Sequence, residues 1–252
     1  MTDEILAALN LKTGGVYVDC TIGTGGHALS MLETVPNIRI LGIDVDEEAR
    51  QIASQRLSKF GDSVRIVNGN FANVWSITNQ QGFFPADGIM FDLGLSSLQV
   101  DTPDRGFSFR QDAKLDMRFD PSSGTDTAHD LVNHHTERSL TDIIRKFGEE
   151  PKASQIARAI TRSRPVESTT DLANLIMKFT SGKYRKSKIH PATRTFQALR
   201  MAVNSELTNL KRGLEQAIKV LNLAGRLAVI SYHSLEDRLV KNKLRQESSN
   251  CM

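Results

Sequence analysis

Apolar residues in the first hundred positions fall into short runs that each close on a polar residue, with amphipathic or turn-rich stretches between them. Val16 to Asp19, Ile38 to Asp44, Val64 to Val67 and Gly88 to Asp92 read as strands, and a fifth is expected at Arg226 to Ser231. Helical spacing separates them from Glu47 to Phe60, and turn residues cluster from Gly82 to Ala86. Such alternation predicts an α/β fold with a doubly wound parallel sheet, whose ligands bind at the carboxyl ends of the strands. Asp19, Asp44, Asp92 and Ser231 occupy those ends.

More than 130 residues separate the fourth and fifth strands, far more than a crossover needs. Ser96 to Ser123 is rich in Asp, Pro, Gly, Arg and Phe without a sustained period and reads as a long functional loop. Helical periodicity returns from Thr127 to Lys178, broken at Pro151 and Pro165, and a further helical run from Ala192 to Leu221 leads back to the core. The expected organisation is a core in two parts, residues 1–110 and 195–252, around an inserted loop and helical subdomain at 111–194.

The turn after the first strand, Thr21-Ile22-Gly23-Thr24-Gly25-Gly26-His27, opens a helix, and Asp44 follows about 20 residues on. Glycines allow close backbone approach, a helix start offers free N–H groups, and an acid at the next strand end suits ribose hydroxyls. Ala28 stands where a dinucleotide motif has its third glycine, and no Walker lysine follows. A turn without a phosphate grip suits an adenosine cofactor that lacks phosphate, which points to S-adenosylmethionine.

At 252 residues, 39% hydrophobic and 24% charged, the composition is that of an ordinary globular protein. Cys20 and Cys251 form no C-x-x-C pair, so neither a disulfide framework nor a zinc site is expected. His129, His134 and His135 lack a matching ligand set, and no metal is expected. No secretory signal or membrane-spanning run is present, which fits a soluble protein of a reducing compartment. The net charge of +3 conceals a basic block: residues 151–200 hold eleven Lys/Arg against Glu167 and Asp171. A polyanion partner or a solvated helical surface explains such a block.

Seven motifs then line up: Asp19 to His27; Gly42-Ile43-Asp44; Asp92 to Asp101; Arg105-Gly106-Phe107-Ser108-Phe109-Arg110; Leu115-Asp116-Met117-Arg118; His190 to Arg200; and Ser231 to Arg238. Together they closely resemble the bacterial small-subunit ribosomal RNA cytosine-N4 methyltransferase family, whose relatives also occur in organelles. The resemblance covers nearly the whole chain. It implies a Rossmann-like, S-adenosylmethionine-dependent methyltransferase with a helical insertion, acting on the N4 amine of a cytidine in the decoding region. Small-subunit ribosomal RNA or the small ribosomal subunit is the expected partner, in the bacterial cytoplasm, with no membrane partner and with a homodimer left open. By position, Gly25, Gly26, His27, Asp44, Phe71, Asp92 and Gln99 match the family's cofactor contacts. Leu98 stands where proline is frequent, and Phe119 replaces a usual methionine. Family members generally carry an extra N-terminal segment and continue past residue 252, so the chain is expected to be clipped.

The cytosine amine is a reluctant nucleophile, because its lone pair is delocalised into the ring. An acceptor on the amine with an aromatic face against the base would localise that pair. Asp92-Leu93-Gly94 lacks the Pro-Pro-aromatic sequence that many amino-methyltransferases place here, which leaves Phe107, Phe109 and Tyr232 as candidate rings. Asp92 holds either the cofactor's methionine end or the amine. His233 is either a proton acceptor or a hydrogen-bonded structural residue. Phe71 either contacts adenine or fills the core. Arg105, Arg118 and Arg194 either contact phosphate or pair with acids such as Asp101, Asp104 and Asp116, while Lys183, Arg185, Lys186 and Lys188 are expected to grip RNA phosphates. An amino-methyltransferase of another nucleic acid is disfavoured by the missing Pro-Pro-aromatic, and a catalytically silent ribosome-assembly protein by the intact glycine turn with Asp44.

Overall fold

Five strands, β1 (Val16–Asp19), β2 (Arg39–Asp44), β3 (Val64–Asn68), β4 (Ala86–Asp92) and β5 (Leu221–Ile230), pair in parallel in the order β3-β2-β1-β4-β5. The computed structural model describes residues 2–180 and 190–249. Parallel neighbours require crossovers, and helices cover both faces of the sheet. Val18, Leu41, Ile43, Ile89 and Phe91 therefore point into one core, while Tyr17, Ile40 and Met90 point into the other. Fully buried aliphatic side chains such as Ile43 cost about 2 to 5 kcal/mol when cut to alanine, so this layer fixes the strand ends on which the site stands.

The first crossover carries α2 (Gly26–Thr34), the second α3 (Glu47–Leu57) and the third α4 (Val74–Gln81), after α1 (Thr2–Leu9) at the start of the chain. Asp46 caps α3 by accepting from the Ala49 N–H, and Glu47 and Glu48 complement the positive end of its dipole. Four of the strands fall within a few residues of their sequence expectation. β5 begins five residues earlier than expected, with a register shift opposite Ala86 to Gly88. From Asn222 to Gly225 the one large apolar residue is Leu223, which is 97% exposed, so the segment lacks a buried apolar run.

The chain divides into two units, residues 1–94 with 207–252, and residues 95–206. The second unit is wider than the 111–194 expected from sequence, for a packing reason. Phe107, Leu115 and Met117 from the aperiodic stretch and Phe196, Leu199 and Val203 from the later helix share one core with Leu140, Ile144, Ile156 and Leu172. That core joins α6 (Ala128–His134), α7 (Glu137–Gly148), α8 (Ala153–Arg162), α9 (Thr169–Thr180) and α10 (Thr193–Val203), after the short α5 (Ser97–Asp101). Asn204 ties the aperiodic stretch to α10, donating to the Met117 carbonyl at 2.7 Å and accepting from the Phe119 N–H at 2.7 Å. In the first unit, α11 (Glu206–Val220) contributes Leu210 and Leu214 to the core, and α12 (Ser234–Ser249) follows β5.

Candidate functional site

The first unit gathers its polar side chains at the carboxyl ends of β1, β2, β4 and β5. Backbone bonds set the turn after β1 against the neighbouring strands: Cys20 N–H donates to the Met90 carbonyl at 2.9 Å, and Ile22 N–H to the Ile43 carbonyl at 3.0 Å. Gly25, at φ 81°, adopts the left-handed conformation that starts α2. Gly26 differs. Its φ does not require glycine, and a Cβ there would find nothing nearer than 4.0 Å, so the protein's own packing leaves room beside its α-carbon.

Asp44 closes this turn. Its Oδ2 accepts from the Gly23 N–H at 2.9 Å and its Oδ1 from the Asp46 N–H at 3.0 Å. A carboxylate has about four acceptor positions, so two backbone bonds leave capacity for ribose hydroxyls. Burial raises its pKa above the usual carboxylate range, and the two N–H bonds oppose that rise. Arg50 reaches over the end of β2, donating to the Asp44 carbonyl at 3.0 Å and to Asn68 Oδ1 at 3.1 Å.

Asp92, at the end of β4, sits between His27 and Tyr232. Its Oδ2 lies 3.3 Å from His27 Nε2, its Oδ1 accepts from the Tyr232 hydroxyl at 3.0 Å, and its N–H donates to Thr21 Oγ1 at 2.7 Å. The bond to Asp92 raises the His27 pKa, helped by the charge of Asp19 and opposed by burial. His27 Nδ1 is buried without a hydrogen-bond partner, so the side chain holds an unused polar atom within the turn. Burial, followed by the Asp92 bond, pushes the Tyr232 phenol up to about 12, which keeps it a donor.

Asp19 ends β1 and joins the site, although the sequence pattern alone implies no role for it. It is buried, accepts from the Thr21 N–H at 3.1 Å, and is pushed up to about 7 by burial, with Asp44 and Asp92 raising it and Thr21 and His27 lowering it. Its position immediately before the glycine turn was the available signal.

The other sequence candidates are distributed as follows. Phe71 follows β3, meets Phe91 edge-on at 5.4 Å and packs so closely on Gly213 that a Cβ there would come within 2.7 Å of its ring. Gln99 belongs to the second unit, where it closes the capping box of α5 with Ser96. His233 Nδ1 faces the Glu236 N–H at 3.4 Å while Glu236 accepts from the Tyr232 N–H at 3.0 Å, a reciprocal arrangement at the start of α12. His233 Nε2 is 3.2 Å from Glu236 Oε1, without hydrogen-bond alignment.

Within the second unit, Arg118 forms a bidentate pair with Asp116 at 2.9 and 2.7 Å, which raises the arginine pKa. Arg105 donates to the carbonyls of Arg118 and Phe119 at 3.3 and 2.9 Å, and Phe107 stacks on Phe119. Arg194 reaches the Glu149 carbonyl at 3.4 Å and lies 3.9 Å from Glu150. Lys183, Arg185, Lys186 and Lys188 lie outside the described residues. No helix of the described residues is long and apolar enough to cross a membrane.

The strand-end group thus combines an open backbone beside Gly26, two carboxylates with spare acceptor positions and an unpartnered imidazole nitrogen. It fits a cofactor with ribose hydroxyls and a cationic end, and Arg56 donates to Thr24 Oγ1 of the turn at 3.3 Å. Comparison with known proteins agrees. The model of the MraW methylase family matches residues 1–252. "Ribosomal RNA small subunit methyltransferase H" of Dehalococcoides mccartyi strain 195 is 49% identical over 253 residues, covering 100% of this chain and 72% of that protein. The proteins of the same name from Syntrophus aciditrophicus and Carboxydothermus hydrogenoformans are 47% and 46% identical, each covering 100% of this chain and 81% of its own length.

Proposed function

The chain belongs to the MraW methylase family, and from that premise we propose that it methylates the exocyclic N4 amine of a cytidine in the decoding region of small-subunit ribosomal RNA. It is an S-adenosylmethionine-dependent ribosomal RNA methyltransferase with a Rossmann-like fold. The cytidine target and its place in the RNA are the finer reading, as is action in the bacterial cytoplasm on the small subunit. The cluster of Asp44, Asp92 and His27 around the glycine turn carries the cofactor part of this reading, and the cytidine and its place in the RNA rest on the resemblance of the loop motifs.

S-adenosylmethionine, when bound, supplies a methyl group already activated on a sulfonium. The protein's task is then position and desolvation, and orientation alone is worth roughly 7 to 11 kcal/mol. Asp44 would accept from the ribose hydroxyls, Phe71 would lie against the adenine, Gly25 would supply the left-handed turn, and Gly26 would let the backbone approach. Asp92 and His27 would hold the methionine end. The Gln99 assignment rests on the resemblance alone. Arg105, Phe107 and Arg118 shape the RNA-facing loop from inside, and Arg194 with Lys183, Arg185, Lys186 and Lys188 supplies phosphate contacts. His233 stays a candidate proton acceptor, though its ring is engaged at the start of α12.

Incubation with labelled S-adenosylmethionine and small ribosomal subunits, followed by digestion of the RNA to nucleosides, tests this directly. Label is expected in N4-methylcytidine. Label in another nucleoside, or none in RNA, overturns the reading.

A further inference from the structure

A cytosine drawn out of folded RNA loses its stacking neighbours, and proteins that act on such bases supply an aromatic face in their place. Three rings were candidates, and their surroundings separate them. Phe107 is 8% exposed and stacked on Phe119 at 5.7 Å. Phe109 is engaged by His190 at 4.5 Å and by Phe196, edge-on, at 4.8 Å. Tyr232 is 59% exposed.

Its setting is also built. The hydroxyl donates to Asp92 Oδ1 at 3.0 Å, and the backbone N–H donates to Glu236 Oε2 at 3.0 Å, so both ends of the residue are held. The ring rests against Gly94, where a Cβ would come within 3.2 Å of Cδ2 and where φ of 92° also demands glycine. Gly94 thus lies against the Cδ2 edge of the ring, while more than half of the residue stays open to solvent. The phenol remains within hydrogen-bond reach of the carboxylate that the proposed function places beside the methyl donor.

We propose that Tyr232 is the platform on which the target cytosine stacks, held in place by Asp92 and Gly94. The inference rests on the cytidine reading above. Asp92 then joins the two halves of the site, facing His27 through one oxygen and fixing the base platform through the other.

The test uses small ribosomal subunits lacking the methyl mark, with kcat and KM for the subunit measured for the wild type and for Tyr232→Phe, Tyr232→Trp and Tyr232→Leu. Loss of the ring in Tyr232→Leu is expected to lower kcat/KM about 5- to 100-fold. Its S-adenosylmethionine affinity, read by calorimetry, is expected to stay within about threefold of wild type. Phe and Trp should restore most of the rate. Wild-type kinetics for Tyr232→Leu, or an equal loss in all three variants, overturns the stacking role, as does a matching loss of cofactor affinity in Tyr232→Leu. A wild type inactive on small subunits overturns the function reading and this inference with it. An active wild type with an unaffected Leu variant places the failure in Tyr232 alone.

Discussion

The Gly23 N–H donates to Oδ2 of Asp44 at 2.9 Å, across 21 residues of sequence. The glycine turn and the acid at the next strand end are therefore one hydrogen-bonded unit, and the acid supports the turn while facing the ligand.

Asp44→Ala removes charge-assisted bonds worth about 1.5 to 3 kcal/mol. Calorimetric affinity for S-adenosylmethionine should fall about 10- to 100-fold. Thermal stability should fall as well, because Gly23 and Asp46 lose their acceptor. Unchanged affinity would remove Asp44 from the cofactor site.

Asp92→Asn keeps the size of the side chain and one acceptor but loses the charge facing His27. A contact made equally in ground and transition states affects KM, whereas organising the amine affects kcat. The larger expected effect is a raised KM for S-adenosylmethionine. A normal KM with about hundredfold lower kcat would assign Asp92 to the amine instead.

Asp19 makes stability depend on pH with a definite sign. Its folded pKa of about 7 exceeds the ordinary 3.8, so between those values only the folded state retains the proton. Its contribution is greatest below about pH 4 and is lost as pH rises to about 7, by an amount on the order of 4 kcal/mol. Denaturant unfolding from pH 5 to 8 should show this decline in the wild type and a flatter profile in Asp19→Asn. Parallel profiles would refute it.

Replacing Lys183, Arg185, Lys186 and Lys188 together with alanine should weaken RNA binding. Each lost phosphate contact should flatten the salt dependence by about 0.7 to 0.9 log units of slope. Cofactor affinity should be unaffected. Unaltered RNA binding with an unaltered salt slope would make this run a solvated surface.

Local pattern carried much of the fold to the surface of the sequence. The strands buried on both faces, the glycine turn and Asp44 are all legible, because each depends on residues within about two dozen positions. The contacts among His27, Asp92 and Tyr232 are not, since they depend on strand order and register, to which periodicity is blind. The stretch around Phe107, Leu115 and Met117 misled in the other direction. It has no period because it adopts neither helix nor strand, yet those side chains are buried in the second unit's core.

The pairing of β4 with β5 also sets a timetable for synthesis. Asp92 and its partner Ile230 are joined by about 140 residues of chain, which a ribosome adding about 5 to 20 residues per second takes about 7 to 28 s to make. Throughout that interval the outer edge of β4 lacks the strand that will cover it, and an uncovered edge is a template for pairing with other chains. The compact core of residues 95–206 can collapse in the meantime, which shortens the loop still to be closed. A nascent chain of this protein is thus most vulnerable to aggregation between the emergence of its fourth strand and that of its fifth.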